Sequence, residues 1–259
     1  MPRTATVNYH VHKPERQAFH IDARGEVGKL ISPELAPTDV AVLDERAGEA
    51  AVAFARDGVE FAAAPTGVET FGESENWRGR YDAELTDLLS ARVGAEEVVI
   101  FDHTVRVDDP NSDRTPARNV HSDYSRKGAE NRLIDVLGPE RAAMWSAGRY
   151  AFVNIWRPVD APINSAPLGF VRPASVAEED WILLDLIYPD RVGGIMGLAA
   201  NPSHEWIYRA KMRPDEVAYF NIYDNQGRPS IAHSALDMVE DPAVTTIRNS
   251  IESRTVIRY

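Results

Sequence analysis

The sequence predicts a mainly β chain with flanking helices, whose second half folds as a sandwich, barrel or jelly roll; we take the jelly roll. Three observations carry that reading. Short strand-like runs recur from Tyr150 to the C-terminus. Turn signals such as Pro158, Pro162, Pro189-Asp190, Asn201-Pro202, Arg213-Pro214-Asp215 and Asn225-Gln226-Gly227 separate them. Helical periodicity is confined to the first half, so helices are expected to pack outside one sheet of a β core.

Residues 4–12 read as a strand rich in β-branched and aromatic side chains. Residues 39–47 read as a strand or an irregular segment. Val59 to Ala63 form a short strand that stops at Pro65. Residues 75–93 read as a helix, with Tyr81, Leu85, Leu88 and Leu89 on one stripe and Gly94 ending it. Val98-Val99-Ile100-Phe101 is a continuous apolar strand. Residues 126–147 form one or two helices, with Leu133, Ile134 and Leu137 on one face and Gly138-Pro139 as punctuation. Strands then follow at 150–156, 181–187, 204–208, 216–223 and 250–257.

The chain has 259 residues, 44% of them hydrophobic, which is enough for a sizeable core. No internal repeat and no Gly-, Ser- or Pro-rich linker divides it, so residues 1–259 are expected to form a single domain. The formal charge of −12 and a pI near 5.1 argue against nucleic-acid phosphates or an anionic membrane as partners. Cysteine is absent, which excludes disulfides, thiolate catalysis, zinc–cysteine sites and iron–sulfur clusters. The metal-ligand inventory reduces to seven histidines and the carboxylates. There is no apolar run of about 20 residues and no secretory core after Met1. A cytoplasmic location is the expectation.

The chemistry concentrates at Val120-His121-Ser122-Asp123-Tyr124-Ser125. On a strand, residues i and i+2 share a face, so His121 and Asp123 can grip one ion together. A distal histidine, His233, completes a two-His-one-carboxylate facial triad, which leaves positions open on a ferrous ion and suits oxygen activation. Competing readings make Asp123 the cap of a helix starting near Ser125. His10 and His12, alternate residues on a strand, compete as a metal pair but lack a nearby carboxylate; they, His103 and His204 are read as structural. Near the C-terminus, Arg248 and Arg254 share a strand face, about 20 Å apart at about 3.3 Å per residue. A dicarboxylate cosubstrate that chelates iron at one end needs a cation at the other, and the guanidinium fork suits it. The alternative is that both are ordinary strand charges paired with groups such as Glu252.

An ordered series of motifs extends this along the chain: Pro65-Thr66-Gly67-Val68, Phe101-Asp102-His103-Thr104-Val105-Arg106, Asn154-Ile155-Trp156-Arg157-Pro158, Asp185-Leu186-Ile187-Tyr188-Pro189, Asn201-Pro202-Ser203-His204-Glu205-Trp206, Pro214-Asp215-Glu216-Val217, His233-Ser234-Ala235 and Arg248 to Arg254. With these the chain resembles the iron(II)/2-oxoglutarate-dependent oxygenases of the group that includes gibberellin desaturase-like and AsaB-like proteins, the novofumigatonin endoperoxidase and the cephamycin protein CmcJ. The resemblance implies a double-stranded β-helix (jelly roll, cupin-like). It implies Fe(II) on His121, Asp123 and His233, and 2-oxoglutarate supported by the C-terminal arginine strand, with Asn154 as a further contact. Small organic substrates of secondary metabolism and O₂ would be the partners. The outcome would be hydroxylation, desaturation, cyclisation or endoperoxidation, with release of succinate and CO₂. Tyr124 and Trp156 are candidates to line the substrate pocket. Three departures bear on the substrate rather than on the cofactors. Ser122 and Tyr124 stand where the group has valine and glutamine. Ala232 replaces a proline before the distal histidine. Gly193-Gly194-Ile195-Met196 replaces a Gly-Glu-Thr stretch. Two rivals remain: an iron oxygenase that does not use 2-oxoglutarate, and a non-catalytic jelly-roll binding protein. A methyltransferase finds no support, because no glycine-rich nucleotide loop follows an early strand.

Overall fold

The computed structural model describes residues 3–21, 27–31, 33–72, 75–189 and 192–259. In chain order the elements are β1 (Arg3–His10), β2 (Gln17–Ile21), β3 (Val27–Ile31), β4 (Leu35–Asp44), α1 (Phe54–Asp57), β5 (Val59–Ala63), α2 (Arg78–Val93), β6 (Glu97–Val107), β7 (His121–Ser122), α3 (Arg126–Leu137), α4 (Pro139–Ser146) and β8 (Tyr150–Pro158). The chain continues through β9 (Leu168–Val171), β10 (Trp181–Ile187), β11 (Val192–Leu198), β12 (Trp206–Tyr208), β13 (Glu216–Asp224), β14 (His233–Ala235) and β15 (Asn249–Arg258).

The strands form two sheets. The larger runs β1-β4-β12-β9-β14-β7-β11-β10-β2-β3 and the smaller β5-β13-β8-β15-β6. From β6 onward the chain passes back and forth between them. β6, β8, β13 and β15 lie in the small sheet; β7, β9, β12 and β14 lie in the large one. That alternation is the jelly roll, and the β10–β11 hairpin extends its large sheet. The expected architecture stands.

Alternation along the strands places the core. In β12, Ile207 turns into the space between the sheets, while Trp206 and Tyr208 join a cluster with Val7 and Tyr9 on the far side. The inter-sheet core includes Phe61, Phe152, Trp156, Phe170, Ala218 and Phe220, closed at one end by Leu133 of α3 and Trp145 of α4. Burying each such aromatic side chain contributes about 1.5–3 kcal/mol relative to leaving it exposed. Helix α2 lays Tyr81, Leu85 and Leu89 on the outer face of the small sheet, against Val153, Ile155, Ile251 and Ile257. This is the outside-packed helix that the sequence implied.

Several boundaries differ from the sequence reading. The apolar strand 98–101 extends to Val107, so His103 lies within a strand rather than after one. The strand read at 204–208 begins at Trp206. Residues 35–44 form a full strand and 45–48 a turn. Strands β2, β3, β9, β11 and β14 were not anticipated. β9 and β14 are too short for a periodic signal, and β11 carries Gly193, Gly194 and Gly197. Asp190, part of one expected turn, lies outside the described residues.

Candidate metal centre

The strand pairing brings the three candidate ligands together. His233 of β14 pairs with Phe170 of β9 on one side and His121 of β7 on the other, and His121 pairs with Gly197 of β11. Paired residues share a face, and Phe170 belongs to the inter-sheet core, so both imidazoles point inward. Their ring centroids are 4.6 Å apart. Gly197 is required by its neighbour. A Cβ there would lie 2.7 Å from the His10 ring, so His10 fills the place a side chain would take beside His121.

Asp123 follows β7 in a bend and turns back toward the histidines. The helix cap is Ser125, not Asp123: Ser125 Oγ accepts from Gly128 N at 3.1 Å. Ser125 N donates to the Gly194 carbonyl at 3.0 Å, which seats the start of α3 on β11. Gly128 permits this approach, because a Cβ there would meet the Gly194 carbonyl at 2.5 Å.

The donor atoms converge. Oδ1 of Asp123 lies 3.6 Å from Nε2 of His121 and 3.9 Å from Nε2 of His233, and the three donor atoms fall within 4.8 Å of one another. Nδ1 of His121 donates to the Asn119 carbonyl at 2.8 Å, and Nδ1 of His233 to the Ile231 carbonyl at 3.3 Å. A carbonyl only accepts, so each Nδ1 carries the proton and each Nε2 keeps its lone pair for a metal. Burial, reinforced by the charge of His121, pushes His233 down to about 3, so it is neutral near pH 7 and ready to coordinate. Burial opposes the charge on Asp123, but the nearby Arg254, His121 and His233 outweigh it and hold the carboxyl well below its usual range. Two imidazole nitrogens and one carboxylate oxygen on one side of a space fit a divalent ion with open positions opposite.

The two arginines do not share a strand as the sequence suggested: Arg254 lies within β15 and Arg248 just before it, and they have different company. Arg254 Nε donates to Asp123 Oδ2 at 3.1 Å, and Nη1 donates to Asp102 Oδ2 at 2.6 Å and Thr104 Oγ1 at 3.0 Å. Its Nη2 lies 3.3 Å from Glu252 Oε1. Asn154 Nδ2 donates to Asp123 Oδ2 at 2.9 Å and Glu252 Oε1 at 2.7 Å. Arg248 is 3% exposed and makes no salt bridge among the described residues. It donates from Nη1 to the Ala166 carbonyl and from Nε to Ser250 Oγ at 3.3 Å, and its guanidinium lies 5.1 Å over the Trp156 ring. Burial, and then the charge of Arg106, push it down to about 9, so it remains a cation at neutral pH.

The structure thus brings His121, Asp123, His233, Asn154 and Arg254 into one cluster, and places Arg248 with Trp156. Tyr124 packs its ring 5.0 Å from Phe152, and burial raises its phenol further above the ordinary value. Three residues that the sequence reading did not single out belong to this surface, Asp102, Thr104 and Arg106, and Glu252, named there as a partner of the arginines, pairs with Arg254. Asp102, Thr104 and Arg106 alternate along β6, and this polar period-2 pattern was the signal available. The four histidines read as structural keep other partners. His10 is buried, with Nε2 3.4 Å from the Asn119 amide. A ring nitrogen of His12 lies 3.1 Å from the Glu179 carbonyl. His103 bridges Ser253 and Asp82, each at 2.8 Å. His204 joins Tyr9 and Asp180.

Comparison with known proteins bears on the same site. Residues 7–258 match the family described as "Oxidoreductase/YMDC permease-like domain". The chain is 30% identical over 248 residues to the hydroxylase/desaturase efuI of Hormonema carpetanum, covering 84% of this chain and 82% of that protein. It is 29% identical over 222 residues to the alpha-ketoglutarate-dependent dioxygenase phiK of a fungal species, covering 78% of each. Among solved structures, a variant of the iron and alpha-ketoglutarate-dependent endoperoxidase NvfI superposes with a TM-score of 0.86, over 99% of this chain and 97% of that one, at 20% identity. That last likeness is one of fold.

Proposed function

From the premise that this chain belongs to the iron(II)/2-oxoglutarate-dependent oxygenases, in the group that includes fungal hydroxylase/desaturases and dioxygenases, we propose that it oxidises a small organic molecule of secondary metabolism with O₂ as co-reactant. The reading takes residues 1–259 as one oxygenase domain. The observation that carries it is the convergence of His121 Nε2, Asp123 Oδ1 and His233 Nε2 within 4.8 Å. When bound, Fe(II) would activate O₂, the oxidant, and 2-oxoglutarate would supply two electrons as it is oxidised to succinate and CO₂.

The chain's own residues do the rest. His121 and His233 offer lone pairs that their backbone partners hold in place. Asp123 offers one oxygen while Arg254 and Asn154 hold the other. In this reading Arg248 takes the remote carboxylate of 2-oxoglutarate. Ser250 Oγ lies beside it, and Arg106 adds a second positive charge. A buried cation that makes no salt bridge among the described residues is costly unless an anion arrives, and a dicarboxylate brings one. Trp156 is 2% exposed and carries the Arg248 guanidinium, so it shapes the cosubstrate end of the site. Tyr124, next to Asp123, is the candidate for contact with the organic substrate. The net charge of −12 disfavours a nucleic-acid partner. No helix among the described residues is long and apolar enough to cross a membrane. A cytoplasmic location fits this reading.

The test is uncoupled turnover. Protein loaded with Fe(II) under nitrogen and then exposed to O₂ and 2-oxoglutarate should release succinate, and H121A should abolish that release. Equal succinate from H121A would sink the iron assignment. Full oxidation of substrate without any 2-oxo acid would favour the oxygenase that does not use one.

A further inference from the structure

We propose that Glu252 is a positioning residue that fixes the orientation of Asp123 through Arg254 and Asn154; the inference rests on the iron-site reading above. A carboxylate cannot donate to another carboxylate, so Glu252 can act on Asp123 only through donors that the two share. There are two such donors. Asn154 Nδ2 gives hydrogen bonds to Glu252 Oε1 at 2.7 Å and to Asp123 Oδ2 at 2.9 Å. Arg254 places Nη2 3.3 Å from the same Oε1 and Nε 3.1 Å from the same Oδ2. One oxygen of Glu252 thus faces one oxygen of Asp123 across a bridge of an amide and a guanidinium.

Strand register builds this bridge. Arg254 pairs with Asn154 across β15 and β8, so their side chains stand next to each other on the inner face. Glu252 is two residues along β15 and therefore on that same face, where it is 8% exposed. Asp102 and Thr104 of β6 hold the third nitrogen of Arg254. Every nitrogen of that guanidinium is committed, and the fork cannot swing without losing several charge-assisted bonds.

The consequence falls on the metal. An untethered carboxylate can rotate and give both oxygens to an ion, as carboxylates do in calcium sites. With Oδ2 held by two donors, Asp123 offers Oδ1 alone. The position a second oxygen would take stays available to a chelating cosubstrate. Groups that orient metal ligands in this way are typically worth about 10–100-fold in metal affinity.

The test uses chelator-stripped full-length protein and Co(II) as the probe. Folding is first checked by thermal melting without metal. Each protein is then titrated with Co(II), followed by its visible absorption, and 2-oxoglutarate is added. E252A should bind Co(II) about 10–100-fold more weakly than wild type and show a changed Co(II) spectrum. E252Q keeps an acceptor oxygen and should restore both affinity and spectrum. E252M, which fills the space without an acceptor, takes the place of E252A if that variant does not fold, with the same expected loss. Wild-type affinity and spectrum in folded E252A or E252M would overturn the proposal, and so would E252Q behaving as poorly as they do. Failure of the wild-type protein to bind Co(II) would instead overturn the iron-site reading itself.

Discussion

Arg254 within β15 and Arg248 just before it are the same residue type and are held in opposite ways. Arg254 is surrounded by Asp123, Asp102 and Glu252. Burial alone would weaken its charge, but those carboxylates more than compensate and raise its affinity for the proton. Arg248, six residues earlier, is more deeply buried and has Ser250, a backbone carbonyl and the Trp156 ring as its contacts. A buried cation whose partners are all present belongs to the architecture of the site. One that makes no salt bridge among the described residues has room for a ligand that forms one. Their neighbours set the difference: Asp102 and Thr104 of β6 for Arg254, and Trp156 of β8 for Arg248.

The sharpest way to break that contrast is a pair of substitutions read by two measurements. R248M removes the cation that makes no salt bridge among the described residues. A hydrogen bond to a charged group is worth about 1.5–3 kcal/mol, so the KM for 2-oxoglutarate should rise about 10–100-fold while metal affinity stays near wild type. R254K keeps the charge but loses the fork that reaches Asp123, Asp102 and Glu252 together. Metal affinity should fall about 10–100-fold, with a smaller change in cosubstrate KM once metal is saturating. Metal titration and initial-rate kinetics on both variants decide the matter. If R254K raised the KM and R248M released the metal, the two roles would have to be exchanged.

How much of this was legible beforehand follows from the same contrast. The metal pair could be read because its chemistry lies in two residues two positions apart, although Asp123 reaches the site from the bend after β7 rather than from the strand itself. β7 is only two residues long, yet His121 and Asp123 did not need a longer strand to meet. The jelly roll was legible from the spacing of strands and turns. The large sheet's extra strands were not, because β9 and β14 are short and β11 is rich in glycine. The division of labour between the arginines was hidden for another reason. Asp102 and Arg254 are 152 residues apart in sequence, and Asn154 and Glu252 are 98 apart. Only strand order in the small sheet makes them neighbours. Tyr124 and Trp156 looked alike as aromatic residues beside motifs, but Trp156 sits beneath Arg248 and Tyr124 beside Phe152.

A smaller effect separates the large-sheet side of the site from the small-sheet side by pH. On the large sheet, His10 is buried beside His121, and burial, followed by the charge of His121, lowers it from 6.5 to about 4. The folded pKa is below the unfolded one, so the unfolded chain binds the extra proton below pH 6.5 and stability rises with pH in that window. Above pH 6.5 the residue costs nothing. Between 6.5 and about 4 the penalty grows, reaching about 2 kcal/mol near pH 5 at about 1.4 kcal/mol per unit. Thermal melting of metal-free protein at about pH 7.5 and about pH 5 should show a smaller acid-induced drop for H10Q than for wild type. An identical drop would mean that His10 is not held neutral by the fold.

The smallest effect concerns how the bend carrying Asp123 is anchored on the large sheet. Ser125 ties it down twice: its backbone N donates to Gly194 of β11, and its hydroxyl caps α3 at Gly128 N. S125A keeps the first tie and removes the second, which should cost about 1 kcal/mol in stability. Because the backbone bond to Gly194 remains, Asp123 should stay in place, and metal affinity should change far less than in E252A or R254K. Denaturant melts and a Co(II) titration on the same sample measure both quantities. A large loss of metal affinity in S125A would show that the helix cap, rather than the bridge from the small sheet, orients the metal-binding carboxylate.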